Sequence, residues 1–272
     1  MIAVAAWGQM QREDGQAGTS GDGSTRRLGQ LARFLPVGDT AFAVEFGSVI
    51  APDINALVHR TAALLALAPP AGLIETVPTF RSLLVHYDPL VTSAEALQAT
   101  LAALDLGETA GAAPARLWHL PVLYGGEAGP DLEEVARATG LSVPEVIAQH
   151  SGTTYRVYVQ GFLPGFAYLG DLPAALDLPR LSVPRVRVPA GSVAIAQRMT
   201  GVYPLESPGG WRLIGNTPVR FFDPTLTPPT LFAPGDGVRF VPVDATEHER
   251  VRVAVDAGVF IPHHETLAGE SA

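Results

Sequence analysis

Two kinds of hydrophobic pattern divide the chain. Between Thr40 and about Leu104 apolar residues recur with alternating strand and helix periods. Thr40–Phe46, TAFAVEF, alternates like a strand, with Gly38 and Asp39 supplying a turn before it. Pro52–Ala68 places Ile54, Leu57, Val58, Leu64 and Leu65 on one helical face. Pro52 suits a helix start, and Pro69-Pro70 stops the helix. Leu73–Val77 and Ser82–Tyr87 read as two strands joined by a tight connection. Thr92–Leu104 reads as a second helix, capped by Thr92 or Ser93, with Glu95 in its first turn. Leu117–Leu123 reads as a further strand, so the predicted order is β-α-β-β-α-β, a ferredoxin-like arrangement.

Two short helices are predicted next. Asp131–Thr139 is bounded by Gly129-Pro130 and Gly140. Ser142–His150 has Ser142 as cap and Glu145 three residues on. From Thr153 helix signals vanish. Short β-rich runs, among them Tyr155–Val159, Val193–Ala196, Arg212–Ile214, Val219–Phe222, Gly237–Val243 and Arg250–Val255, alternate with Pro/Gly turns. That pattern predicts a β-barrel or sandwich. Residues 1–32 read as a disordered tail, with Gln9–Gln30 rich in Gly, Ser, Thr and charge. The expected organisation is a small α/β domain over 33–123 and a β domain with two leading helices over 124–272.

Composition narrows the function. Of 272 residues, 27 are acidic and 18 basic, and the net charge of −9 argues against a general nucleic-acid binder. There is no cysteine, which excludes disulfides, thiolate catalysis and Cys-based metal sites. No apolar run is long enough for a membrane span, and a cytoplasmic location is the expectation. No phosphate loop and no nucleophile elbow is present. The adjacent His263 and His264 would point to opposite faces of a strand, so no metal site is expected.

The densest concentration of Gly, Pro and aromatic residues runs from His150 to Pro218. Gly161, Gly165 and Gly170 bracket Phe162, Phe166 and Tyr168: either tight corners of a buried strand, or backbone opened to a ligand with Tyr168 at its rim. Arg180, Arg185 and Arg187 lie among prolines; Arg185 is the candidate fork for a carboxylate, against the reading of exposed charges on a β edge. Ser192 is either an anion-binding hydroxyl or a turn serine. Thr200, Tyr203, Ser207 and Trp211 form a polar-aromatic set. His150, at a predicted helix end, is a candidate acid/base or a structural cap.

GFLPGFAYLG at 161–170, PRVRVPAGSVAIA at 184–196 and YPLESPGGWRLIGNTP at 203–218 together resemble the allophanate hydrolase subunit 1 family. That family includes the kinase inhibitor KipI and the B component of bacterial ATP-dependent 5-oxoprolinase. The resemblance covers about 33–262 and implies a cyclophilin-like β domain behind a smaller α/β domain. It further implies an allophanate hydrolase subunit 2-like partner (the C component of 5-oxoprolinase) and a lactam-utilisation partner (the A component). ATP is the implied co-substrate, with its site on one of those partners. The expected function is a 5-oxoprolinase subunit, with His150, Tyr168 and Arg185 as catalytic candidates and Gly165, Ser192, Thr200, Tyr203, Ser207 and Trp211 around the substrate. A histidine kinase inhibitor and the carboxyltransferase half of a urea-processing enzyme are the alternatives. The chain departs from the family pattern at Gln197, where glycine is expected, at Met199, where glutamine is expected, and at Asn216, where arginine is more usual.

Overall fold

The computed structural model describes residues 27–107 and 115–266, and the chain forms two compact units, residues 1–113 and 114–272. In the first unit the elements run α1 (Leu28–Leu31), β1 (Arg33–Pro36), β2 (Ala41–Glu45), α2 (Pro52–Leu67), β3 (Leu73–Pro78), β4 (Ser82–Tyr87) and α3 (Ala94–Ala102). The four strands make one antiparallel sheet in the order β1-β2-β4-β3. Strand β4 alternates half-buried and buried residues, so Leu83, Val85 and Tyr87 face the core. Helix α2 buries Asn55, Val58, Thr61 and Leu65 at helical spacing. Ser93 caps α3 by accepting from the Ala96 amide at 3.2 Å.

The second unit runs β5 (Arg116–Tyr124), α4 (Leu132–Thr139), α5 (Val143–Gly152), β6 (Tyr155–Gln160), β7 (Ala167–Gly170), β8 (Arg185–Val188), β9 (Ser192–Ala196), β10 (Met199–Val202), β11 (Ser207–Gly209), β12 (Arg212–Asn216), β13 (Gly237–Pro242), α6 (Ala245–Asp256) and β14 (His264–Thr266). Seven strands follow the order β12-β9-β10-β7-β6-β13-β5, and pairing of β12 with β5 closes them into a barrel. Strand β14 adds to β5, and β8 with β11 forms a separate two-stranded ladder. The barrel is filled by alternate residues of its strands, including Leu120, Val122, Val157, Leu169, Val193, Ile195, Ile214, Val238 and Phe240. The predicted capping box of α5 is present: Ser142 accepts from the Glu145 amide, and the Glu145 carboxylate accepts from the Ser142 amide.

The mixed α+β class and the barrel match the sequence reading, but four local expectations fail. Strand β5 was expected to complete the small sheet; it is a barrel strand, with β13 running parallel to it over six residue pairs. The place in the small sheet is taken by β1, a short strand ending in Pro36, whose Phe34 packs edge-on against Phe42 at 5.9 Å. The break between units therefore falls before β5, not after Leu123. The Arg250–Val255 run is helical, not a strand. Val251, Val253 and Val255 alternate, but Asp244 accepts from the Glu247 amide at 2.8 Å, and Glu247–Arg250, Glu249–Arg252 and Arg252–Asp256 pair at helical spacing. Val219–Phe222 forms no named strand, only an isolated bridge between Phe222 and Thr230.

The fourth concerns the tail expected over 1–32. Its first 26 residues lie outside the described residues, as do residues 108–114. Leu28, however, is fully buried in the core of the first unit, and its amide donates to the Leu104 carbonyl at 3.0 Å. Leu28→Ala is therefore expected to destabilise this unit by about 2–5 kcal/mol, the range for a buried leucine that leaves a cavity. Removal of residues 1–30 should lower the melting temperature as well. Calorimetric melting of wild type and variant checks this; an unchanged transition would contradict the docking of Leu28.

Candidate functional site

The residues of the Gly/Pro/aromatic segment separate into two neighbourhoods, because neighbours on a strand face opposite ways. Thr200 and Gly201 on β10 make the division. Thr200 is fully buried, and its Oγ1 lies 2.9 Å from His150 Nε2 and 3.0 Å from the Ala194 carbonyl. Gly201 is the floor of the other neighbourhood. A Cβ there would stand 3.2 Å from the Phe166 ring and 3.4 Å from the Trp211 indole.

The first neighbourhood is a closed proton chain. His150, on α5, is fully buried and stacks on Phe240 with ring centroids 4.6 Å apart. Its Nδ1 lies 2.7 Å from the Tyr124 hydroxyl. The Ala194 carbonyl can only accept, so Thr200 donates to it. Nε2–H of His150 then donates to Thr200, and Nδ1 accepts from Tyr124. Every member is satisfied with the imidazole neutral. Desolvation holds the His150 pKa down at about 3 and pushes the Tyr124 phenol up. His150 is thus neither an exposed helix cap nor an acid/base group facing solvent; it is an interior histidine locked in one tautomer. The Tyr124 end of the chain borders a cavity of about 410 Å³ lined by Gly125, Gly129, Pro130, Leu132 and Ile147.

The second neighbourhood is an aromatic platform on the outer side of β7 and β10. Phe166 meets Tyr168 at 4.9 Å, Tyr203 at 5.3 Å and Trp211 at 5.7 Å, all edge to face. Phe162 adds an edge to Phe166 at 5.6 Å. It is 58% exposed and held at φ 73°, a backbone region that costs a bulky residue strain. The Arg180 guanidinium lies 6.0 Å from the centre of the Trp211 ring. Burial pushes the Tyr203 phenol up to about 12, against the positive fields of Arg180 and Arg185, and desolvation raises Tyr168 too. Both phenols are neutral hydrogen-bonding groups at physiological pH.

Arg185 on β8 borders this platform. Its Nη2 donates to Asp131 Oδ1 at 2.5 Å, while Nη1 is buried with no hydrogen-bond partner. Ser207, across the same two-stranded ladder, also has a buried hydroxyl without a partner. Arg187 pairs with Glu206 and is largely exposed. Two candidates lie elsewhere. Gly165 is at φ 82°, and a Cβ there would stand 2.9 Å from the Phe221 carbonyl, so it serves chain packing. Ser192 is buried at the start of β9, its backbone paired with Asn216 and with the Tyr203 amide.

Phe162 and Asp131 were not among the sequence candidates. Phe162 could have been found as the aromatic between Gly161 and Gly165; Asp131, 54 residues from Arg185, carries no local signal. Gln197 sits at φ 55°, the left-handed region where glycine is at ease, which accounts for the glycine expected there.

A family model described as carboxyltransferase domain, subdomain C and D, matches residues 32–232. The B component of 5-oxoprolinase from Bacillus subtilis (strain 168) is 42% identical over 223 residues, covering 78% of this chain and 93% of that protein. The protein of the same name from Escherichia coli O157:H7 is 41% identical over 214 residues, covering 78% of this chain and 97% of its own. The crystal structure of TTHA0988 superposes with a TM-score of 0.68 at 41% identity, covering 75% of this chain but only 40% of that one. Urea amidolyase of Kluyveromyces lactis superposes with a TM-score of 0.72 over 87% of this chain and 16% of its own, a likeness of fold alone at 20% identity.

The buried imidazole gives a pH dependence with a definite sign. Unfolded, His150 regains its ordinary pKa near 6.5, whereas folded it stays neutral down to about 3. Between these values the unfolded chain binds the extra proton, so stability is full above about 6.5 and falls as the pH drops through the window. Denaturant melts from pH 4 to 7 should show that slope, and His150→Gln should flatten it. An equal slope in His150→Gln would contradict the assignment.

Proposed function

The chain belongs to the carboxyltransferase domain, subdomain C and D, family, and from that premise we propose that it is a subunit of an ATP-dependent 5-oxoprolinase, which opens 5-oxo-L-proline to L-glutamate. The observation that carries the reading is 41–42% identity to B components of that enzyme over nearly their whole length. The platform supports it chemically. 5-Oxo-L-proline is a small flat ring bearing a carboxylate. Half-buried Tyr168 and exposed Phe162 suit such a ring, backed by the buried rings of Phe166, Tyr203 and Trp211. The buried, unpartnered Nη1 of Arg185 suits the carboxylate, with the Ser207 hydroxyl as a further donor on the same ladder.

A lactam resists hydrolysis because amide resonance must be broken. Transfer of the γ-phosphoryl group of ATP to the lactam oxygen would activate the ring carbon, with ADP released. Water adds to that carbon, and the ring C–N bond breaks as the nitrogen takes up a proton and leaves as the amine. A second water hydrolyses the resulting γ-glutamyl phosphate to glutamate and phosphate. The sequence holds no phosphate loop. Nucleotide handling is accordingly assigned to a partner, and proteins like the A and C components of 5-oxoprolinase are the proposed partners. This chain's part is to hold and orient the ring, since neither His150 nor the two platform tyrosines titrates near neutrality.

Two measurements test this. The purified chain with ATP and 5-oxo-L-proline should release no glutamate, and the same mixture with its partners should. Turnover by the chain alone would overturn the subunit reading. In the assembled enzyme Arg185→Lys should lower kcat/KM by about tenfold or more, because a single ammonium nitrogen lacks the planar fork that lets Nη2 hold Asp131 while Nη1 meets a substrate carboxylate. Normal kinetics with a lowered melting temperature would make Arg185 a brace for Asp131 and remove it from the site.

A further inference from the structure

Away from the platform, the last described strand brings a second set of chemistry-bearing side chains together. Strands β14 and β5 run antiparallel, with His264 opposite Trp118 and Glu265 opposite Leu117. One step further His263 falls opposite His119, and the His119 amide donates to the His263 carbonyl at 3.0 Å. Side chains alternate along a strand, so His263 and Glu265 share one face, and cross-strand His119 shares it with them. His264 turns the other way and stacks on Trp118, with ring centroids 4.6 Å apart. The adjacent pair His263-His264 does point to opposite faces, as expected from sequence; the partner that completes a donor set is His119, 144 positions from His263 in the chain.

The three groups converge. One donor atom from each of His119, His263 and Glu265 lies within 4.8 Å of the other two. His119 Nε2 is 3.0 Å from Glu265 Oε1, and His263 Nε2 is 3.9 Å from the same oxygen. Ligands about 2.0–2.1 Å from a tetrahedral ion stand about 3.4 Å apart, between these two spacings. Two imidazoles and one carboxylate make a donor set suited to a borderline divalent ion. The backbone ladder and the Trp118–His264 stack hold both strands in register, so little rearrangement is needed.

We propose that His119, His263 and Glu265 form a binding site for a divalent transition cation of the zinc type, which fastens β14 onto β5 and leaves one coordination position open. The site is independent of the platform and of the 5-oxoprolinase reading. The consequence is local. Strand β14 is only three residues long and exposed throughout. A bound ion would tie it to a central barrel strand with three bonds beyond its short ladder, and mass action would then stabilise the folded unit.

The test uses the full chain without an affinity tag, stripped with a chelator, titrated with zinc sulfate by calorimetry and melted with and without zinc. One zinc per chain should bind, and it should raise the melting temperature. His263→Gln and Glu265→Gln should each weaken binding by more than about tenfold and abolish the zinc-dependent rise. Both residues are exposed, with 70% and 58% of the side chain accessible, so melting without zinc should hardly change. A second readout is cobalt(II) in place of zinc, which should give visible absorption bands that the two variants lose. Zinc binding of equal strength in the His263→Gln and Glu265→Gln variants would overturn the proposal. So would an absence of binding up to about 1 mM zinc, an affinity too weak to matter.

Discussion

The second unit depends on one seam, where β12 closes on β5. Only two residue pairs make the closure, Gly215 with Tyr124 and Asn216 with Leu123. The strands approach because Gly215 has no side chain: a Cβ there would stand 2.7 Å from Val122 and 2.9 Å from the Leu123 carbonyl. The loop after β5 is latched to the same strand. The Gly125 amide donates to the Ile214 carbonyl at 3.1 Å, and a Cβ at Gly129 would overlap that carbonyl. Without these two glycines the sheet could not close, and an open edge would be left on β5.

What lies on either side of the seam follows from it. On the interior side it fixes Tyr124, and so the donor that sets the tautomer of His150 and the direction of the Thr200 hydroxyl. On the outer side it fixes Asp131. That residue's amide donates to the Leu213 carbonyl, and one carboxylate oxygen accepts from the Leu213 amide at 2.7 Å. The other oxygen takes Arg185. A single carboxylate thus joins the seam to the β8–β11 ladder beside the platform. Tyr168 lies on β7, Phe166, Tyr203 and Trp211 stand one residue outside β7, β10 and β12, and Arg185 is tied to the barrel through Asp131, which is the kind of support a binding surface for a small rigid molecule requires.

Much of this was legible in the sequence, and the failures have physical causes. Periodicity found α2, β4, α3 and the capped α5, because each buries a face at its own period. It could not say which sheet β5 joins, since a strand that alternates buried and half-buried residues looks alike in either. It mistook α6 for a strand because valines alternate where only Val251 is buried, and the ion pairs on the exposed face decide the helix. Among site candidates, the dense segment set Tyr203 and Trp211 with Thr200 and Ser207 and kept Tyr168 apart; the fold brings Tyr168, Tyr203 and Trp211 together around Phe166. It could not separate Thr200 from Gly201, whose neighbourhoods differ only by strand orientation. Nor could it pair His119 with His263 or Asp131 with Arg185, since sequence distance hides cross-strand contact.

The central claim is that the aromatic platform, and not the buried His150 chain, meets the small molecule. The chain has three tryptophans, so its indole N–H groups give three resolvable signals. Trp211 lies in the platform, whereas Trp118 packs on Phe232 and His264. Titration of 5-oxo-L-proline into the assembled complex, with this chain labelled with nitrogen-15, should shift the Trp211 indole signal in a saturable way and leave that of Trp118 in place. A Trp211 signal unmoved at a ligand concentration that saturates turnover would contradict the account.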